Sequence, residues 1–100
     1  MTKDSQKDPQ DGFDLIEYPC DFAFKAMCRV DTNSIESATE YIQKIVVSRL
    51  SESVILGARS NTSRTGKFES VTMTVRLESR AQLEDVYQAI ARSERVLMTL

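Results

Sequence analysis

The chain has 100 residues, of which 41% are hydrophobic and 28% charged, and its formal net charge is −2. This length allows one domain with one core, and this composition excludes a disordered or fibrous chain. The slight negative charge disfavours a nucleic-acid partner, because binding driven by counterion release needs many cations. The sequence has no histidine and two cysteines. Since most catalytic and metal sites use those residues, we expect no catalytic residue, no metal site and no cofactor.

Residues 1–14 are predicted to form a disordered tail ahead of a single domain at residues 15–100. The tail is rich in charged and small polar residues, and Phe13 is its one large apolar side chain after Met1. Such a segment buries too little apolar surface to offset the entropy lost on ordering. No stretch has the layout of a signal peptide or the length of a membrane span, so we expect no contact with a membrane.

Residues 21–30 alternate between apolar and polar side chains, which predicts a strand with one buried face. Its inward set is Phe22, Phe24, Ala26, Cys28 and Val30. Cys20 lies in the same extended segment, about 26 Å from Cys28 at the usual rise per residue, which is too far for a disulfide. Two unpaired thiols are typical of a reducing compartment. We therefore expect a cytoplasmic protein and interpret both thiols as small buried hydrophobes.

A helix is predicted to begin at Asn33, because Asn33 and Glu36 have the spacing of a capping box. It continues for about sixteen residues, over which apolar side chains recur at intervals of three and four. That stripe consists of Ile35, Ala38, Ile42, Ile45, Val46 and Leu50. The pattern is typical of a helix with one buried face.

A second strand opens at Val54 and loses its apolar character through Gly57 into a polar connection at residues 60–66. From residue 67 to residue 77 the alternation returns in its clearest form. The inward face carries Val71, Met73, Val75 and Leu77, and the outward face carries Ser70, Thr72, Thr74 and Arg76. The two strands are predicted to form a hairpin with a long, flexible tip.

A second helix is predicted after Ser79, which has Gln82 at the capping-box spacing. Residues 96–100 then form a last apolar strand. The order βαββαβ with right-handed crossovers predicts an α+β, ferredoxin-like fold, in which both helices cover one face of a four-stranded antiparallel sheet. The second and fourth strands are the sheet edges, so we expect a homodimer through an edge or through the open sheet face.

Two stretches of the chain carry a family resemblance. A strand pattern Pro-x-x-Phe-x-(aromatic)-Lys-x-Met is matched by Pro19, Phe22, Phe24, Lys25 and Met27, and a hairpin pattern Ser-x-x-Gly-x-(aromatic)-x-Ser is matched by Ser63, Gly66, Phe68 and Ser70. Everything after the tail resembles the YbeD-like family of small bacterial cytoplasmic proteins of unknown function, although Cys28 stands where that family often has glycine. The resemblance implies a ferredoxin-like fold similar to ACT-type regulatory domains, a link to lipoate metabolism and no established catalytic residues.

The first functional hypothesis is a regulatory or adaptor module of ACT type, which binds a partner protein or a small-molecule ligand. Ligands of ACT-type domains lie near the loop after the first strand, here Asp31, Asn33 and Ser34. This loop lacks the glycine that is common at such sites. Helix capping is the simpler explanation of Asn33 and Ser34.

The second hypothesis is a module that binds single-stranded RNA on the open sheet face. That face offers Lys25, Arg29 and Arg76, but Phe68 is the one aromatic residue placed near it. Bases would have too little to stack on. We therefore expect a protein partner rather than a nucleic acid.

The polar hairpin tip at residues 60–68 is the most informative stretch for function. It carries two basic residues and falls in the family pattern. A loop of this kind either binds an anion or acidic partner or is a mobile connection. We expect a partner to contact Arg64, Gly66, Lys67 and Phe68.

Overall fold

The computed structural model describes residues 16–33 and 35–99, so Ser34 and the tail predicted at residues 1–14 lie outside the described residues. The sheet is antiparallel and four-stranded, in the order β2-β3-β1-β4. This arrangement confirms the predicted ferredoxin-like fold and places β2 and β4 at the edges. The elements are β1 (Cys20–Arg29), α1 (Ala38–Arg49), a 3-10 helix (Glu52–Val54), β2 (Ile55–Thr62), β3 (Phe68–Leu77), α2 (Arg80–Ala91) and β4 (Val96–Thr99).

The core lies between the sheet and the two helices. The buried side chains of β1 and β3 are Phe24, Ala26, Cys28, Val71, Met73, Val75 and Leu77, and those of the helices are Ala38, Ile42, Val46, Leu83, Val86 and Ile90. The inward faces predicted for β1 and β3 are thus confirmed, except that Phe22 and Val30 are half-buried. Each fully buried aliphatic or aromatic side chain contributes about 1.5–3 kcal/mol relative to an exposed one, so this layer is the main source of stability.

Helix α1 begins later than the sequence predicts, and the capping box assigned to Asn33 and Glu36 is wrong. The box is formed by Ser37, whose hydroxyl accepts from the Glu40 N–H at 3.1 Å while the Glu40 carboxylate accepts from the Ser37 N–H at 3.0 Å. Asn33 lies instead in a turn, where its N–H donates to the Asp31 carboxylate at 3.0 Å. That bond holds the backbone outside the helix, and Ile35, predicted on the buried stripe, is fully exposed.

The hairpin tip is shorter than predicted, because β2 continues to Thr62. Ser60 and Asn61 were assigned to a loop but pair with Val71 and Ser70 of β3. Both faces of β2 are exposed here, so no alternation of apolar side chains marks the strand in the sequence. The tip comprises residues 63–67, and Gly66 adopts the positive φ of 78° that its turn requires.

Helix α2 begins at the predicted position. The Ser79 hydroxyl accepts from the Gln82 N–H at 3.3 Å, and the Gln82 side-chain oxygen accepts from the Glu78 N–H at 2.7 Å. The Ser79 cap is therefore confirmed, although the return bond goes to the residue before it.

Over residues 16–33 and 35–99, no helix combines the length and the apolar character needed to cross a bilayer.

The corrected helix start gives a first prediction. Ser37→Ala should lower the free energy of unfolding by about 1 kcal/mol, because it removes the hydroxyl that caps α1. Asn33→Ala is the matched control and should change it by less than about 0.5 kcal/mol, since only the backbone of Asn33 is bonded. Urea denaturation of both variants measures the difference. A larger loss for Asn33→Ala would restore the earlier helix start.

Candidate partner-binding surface

The sheet face opposite the helices is covered by no described element. It is formed by the odd-numbered residues of β1, the even-numbered residues of β3, and Gly57, Arg59 and Asn61 of β2, and we call it the open face. The strand register aligns Arg59, Thr72 and Lys25 in one row across it. Directly opposed side chains in such a row have Cβ atoms about 4.5–5.5 Å apart. The open face therefore presents a continuous surface across three strands.

Positive charge is concentrated on the open face and the adjoining hairpin tip. Lys25, Arg29 and Arg59 lie on the face, and Arg64 and Lys67 lie in the tip, all of them exposed. Within the described part of the chain, none of these side chains forms a salt bridge. Arg76, which was predicted on the same face, differs because its guanidinium is 3.1 Å from the carboxylate of Asp21.

On the helix side, by contrast, three cations are paired with carboxylates. Lys44 lies 2.5 Å from Glu36, and that hydrogen bond raises the pKa of Lys44. The guanidinium of Arg49 lies 3.6 Å from Asp85, and that of Arg80 lies 2.7 Å from Glu84. Because the described residues contain eleven basic and eleven acidic side chains, the unpaired cations of the open face and hairpin tip make the fold electrostatically two-sided.

The hairpin tip lies against the start of the loop between β1 and α1. The Val30 N–H donates to the Lys67 carbonyl at 2.9 Å. A shallow cavity of ≈ 340 Å³ forms there, lined by Arg29, Val30, Thr32, Gly66, Lys67 and Phe68. The structure thus brings the two sequence-predicted segments to one place.

The predicted site residues divide between this cavity and its surroundings. Gly66, Lys67 and Phe68 line the cavity, and Arg64 is exposed in the same turn. Asp31 and Asn33 do not line it and are bonded to each other instead. Ser34 lies outside the described residues.

A second depression on the open face was missed in the sequence. It has a volume of ≈ 310 Å³ and is lined by Ala23, Gly57, Ala58, Arg59, Thr72 and Thr74. The depression forms because the side chains that line it on neighbouring strands are small. In the sequence, Gly57 and Ala58 mark only a fading strand, and their alignment with Ala23 and Thr74 depends on pairing between distant segments.

Exposed apolar side chains lie at the other end of the open face. Met27 is paired with Met98 of β4, which is 49% exposed, and Phe68 is 38% exposed. Methionine and aromatic side chains are enriched at protein interfaces. Met98 was missed because the sequence shows β4 as one apolar run without a distinct face.

Arg95 fixes the loop that borders the cavity. Its Nε donates to the Arg29 carbonyl at 3.2 Å, and its Nη1 donates to the Glu36 carbonyl at 3.0 Å. The guanidinium also lies 5.3 Å from the centre of the Tyr41 ring. The sequence identifies Arg95 only as a cation after the second helix. In the structure its side chain joins the end of β1 to the segment before α1.

The two thiols are free, as predicted. Cys28 is fully buried in the core. Burial raises the pKa of its thiol, Arg95 acts against that shift, and Glu69 adds to it. Cys20 is half-buried. Across the described residues, no group of three or more Cys, Asp and Glu side chains is arranged to hold a metal ion.

Comparison with known proteins gives the family. Residues 14–100 match the model of the family described as "Protein of unknown function (DUF493)". The chain belongs to this family. The match spans the whole described fold and confirms the resemblance to YbeD-like proteins inferred from the strand and hairpin patterns.

Relatives in this family have a similar length. The UPF0250 protein NE1487 of Nitrosomonas europaea is 35% identical over 86 residues, which is 86% of this chain and 94% of the relative. A UPF0250 protein of Paraburkholderia phytofirmans is 35% identical over 89 residues, covering 86% and 92%. The solution structure of protein HP0495 from H. pylori matches with a TM-score of 0.66 at 20% identity, over 100% of this chain and 94% of that one. This last likeness supports the fold.

The contacts of Arg95 give a second prediction. Arg95→Ala should lower the free energy of unfolding by about 2 kcal/mol, because a charged donor with two carbonyl partners is lost. Arg92→Ala is the matched control, since Arg92 has one long side-chain bond to Gln88 at 3.4 Å, and it should cost less than about 0.5 kcal/mol. Equal effects in urea denaturation would contradict the role given to Arg95.

The raised pKa and burial of Cys28 give a third prediction. Native protein should react with iodoacetamide at Cys20, and Cys28 should react at least about a hundredfold more slowly, because it needs local opening to form an exposed thiolate. Peptide mapping locates the label. Equal rates at both cysteines would contradict the buried assignment.

The raised pKa of Cys28 also makes stability depend on pH. Because ionisation of Cys28 opposes folding, the free energy of unfolding should fall as the pH rises above the ordinary thiol pKa.

Proposed function

We propose that this DUF493-family protein is a non-catalytic adaptor that binds the acidic surface of a partner protein through its open face and hairpin tip. The observation that carries the proposal is the set of exposed, unpaired cations on one side of a fold whose described residues carry equal numbers of basic and acidic side chains. Such asymmetry orients an incoming partner and raises the rate of association. The helix side, where three cations are paired with carboxylates, then faces solvent or a less charged neighbour.

The shape of the surface favours a protein over a small ligand. The cavities of the open face are shallow, and the cations are spread along it rather than gathered around one pocket. Met27, Phe68 and Met98 add apolar contact area at one end. A protein interface typically combines a few such anchors with surrounding polar groups.

The chemistry also favours a protein over RNA. Modules that read single-stranded RNA stack bases on several aromatic side chains. Phe68 is the one aromatic side chain on the described open face. We also place the protein in the cytoplasm, in keeping with its two free thiols. The link to lipoate metabolism implied by the YbeD-like resemblance makes enzymes of that metabolism the first partners to examine.

The test compares capture by three forms of the protein. The tip variant Arg64→Ala with Lys67→Ala removes two cations from the proposed surface, and Arg49→Ala with Arg92→Ala removes two from the helix side. Each form is used for affinity capture from lysate with and without nuclease treatment, and the captured proteins are quantified by mass spectrometry. We expect an acidic protein captured by wild type and by the helix-side variant to be depleted about tenfold or more with the tip variant.

The captured protein is then purified and titrated with each form at two salt concentrations. We expect the tip variant to weaken binding and added salt to weaken it further, because exposed charges are screened. If all three forms captured the same proteins in the same amounts, the proposed surface would be refuted. Capture that disappears on nuclease treatment would point to RNA instead.

A further inference from the structure

Strand β2 has an open outer edge. In the sheet order it stands at one end, and no other described strand pairs with its outer side. Ile55 is half-buried and every residue after it in β2 is exposed. The opposite edge, β4, has four residues and begins with the buried Val96. Thus β2 presents the longest free row of backbone N–H and C=O groups in the described sheet.

Apart from one charged side chain, Arg59, residues 57–62 lack the usual protections of an edge strand. Edges are commonly closed by proline, by lysine, by a bulge or by a covering element. This segment contains neither proline nor lysine, and the one register shift of β2 lies before it, between Ile55 and Gly57. The edge is therefore competent to pair with a further extended segment.

The side chains beside this edge select for negative charge. Arg59 is the one charged residue of β2, and it lies in a row with Lys25 on the open face. A carboxylate on an added strand next to Arg59 would be about 5 Å away across the strands, within reach of a charge-assisted hydrogen bond. Gly57 leaves open space beside that position, since a Cβ built there meets no atom within 4 Å.

The same residue disfavours a second copy of this chain. Two β2 strands paired antiparallel about a twofold axis at mid-strand would bring both Arg59 side chains close together. Directly opposed like charges destabilise a strand pair. An acidic strand removes this repulsion and replaces it with attraction.

We propose that β2 accepts an extended acidic segment of the partner as a fifth strand of the sheet, with a carboxylate facing Arg59. The proposal rests on the adaptor function, because it states how the acidic partner is held. Backbone pairing supplies affinity without a defined sequence, and the cations supply selectivity for acidic segments. The protein would then recognise a pattern of alternating acidic residues rather than a folded acidic surface alone.

The test uses a ten-residue peptide of alternating glutamate and threonine, capped at both ends, added to the full-length protein. We expect those backbone amides of residues 57–62 that face the free edge to exchange with deuterium at least about tenfold more slowly when the peptide is present, while those of β4 remain unchanged. Two control peptides, one with lysine in place of glutamate and one N-methylated at every residue so that neither edge can donate, should give no protection.

Two variants distinguish pairing of the peptide at the β2 edge from its general attraction to the cations. Arg59→Glu should abolish protection by the glutamate peptide and allow protection by the lysine peptide, whereas Arg92→Glu, the same change on the helix side, should leave both results as in wild type. Urea denaturation confirms that each variant is folded. The fifth strand would be overturned if the N-methylated peptide bound as tightly as the unmodified glutamate peptide. It would also be overturned if β2 were protected without peptide and the protein had a doubled mass in solution. Either result leaves the adaptor function standing, which fails separately if the tip variant captures the same partners as wild type.

Discussion

The packing of both helices on the same face of the sheet is the constraint on which the rest of the structure depends. Right-handed crossovers, the hand that βαβ units almost always adopt, place both helices on one face, and the sheet buries one side only. Val71, Met73 and Val75 belong to the buried side, and their neighbours Thr72 and Thr74 belong to the other. Each alternating strand therefore buries one set of side chains, which stabilises the fold, and leaves the other set exposed for binding.

Charge follows the same division. On the helix side three cations are held by carboxylates, as in the pairs Lys44 with Glu36 and Arg80 with Glu84. On the open side, Arg29 has a backbone position fixed by Arg95 but a guanidinium that forms no salt bridge with a described residue. The fold thus holds the backbone that carries these cations, and a partner that binds them orders only their side chains.

The sequence predicts the fold well because alternation in β1 and β3 reports burial directly. It fails at β2, where Ser60 and Asn61 form a strand through pairing with β3 while both faces stay exposed. It also misplaces the start of α1, since Asn33 and Ser37 have the same spacing to a glutamate and the choice depends on backbone bonds. The hairpin tip could be predicted from its composition. The depression at Gly57 could not, because it depends on register between segments far apart in sequence.

The central claim is that a partner covers the open face. Hydroxyl-radical footprinting of the free and partner-bound protein tests it directly, because methionine and phenylalanine side chains oxidise readily when exposed. The account predicts that binding protects Met27, Phe68 and Met98 and leaves Ile35 and Val47 on the helix side unchanged. Protection of Ile35 and Val47 with continued oxidation of the open-face residues would contradict it.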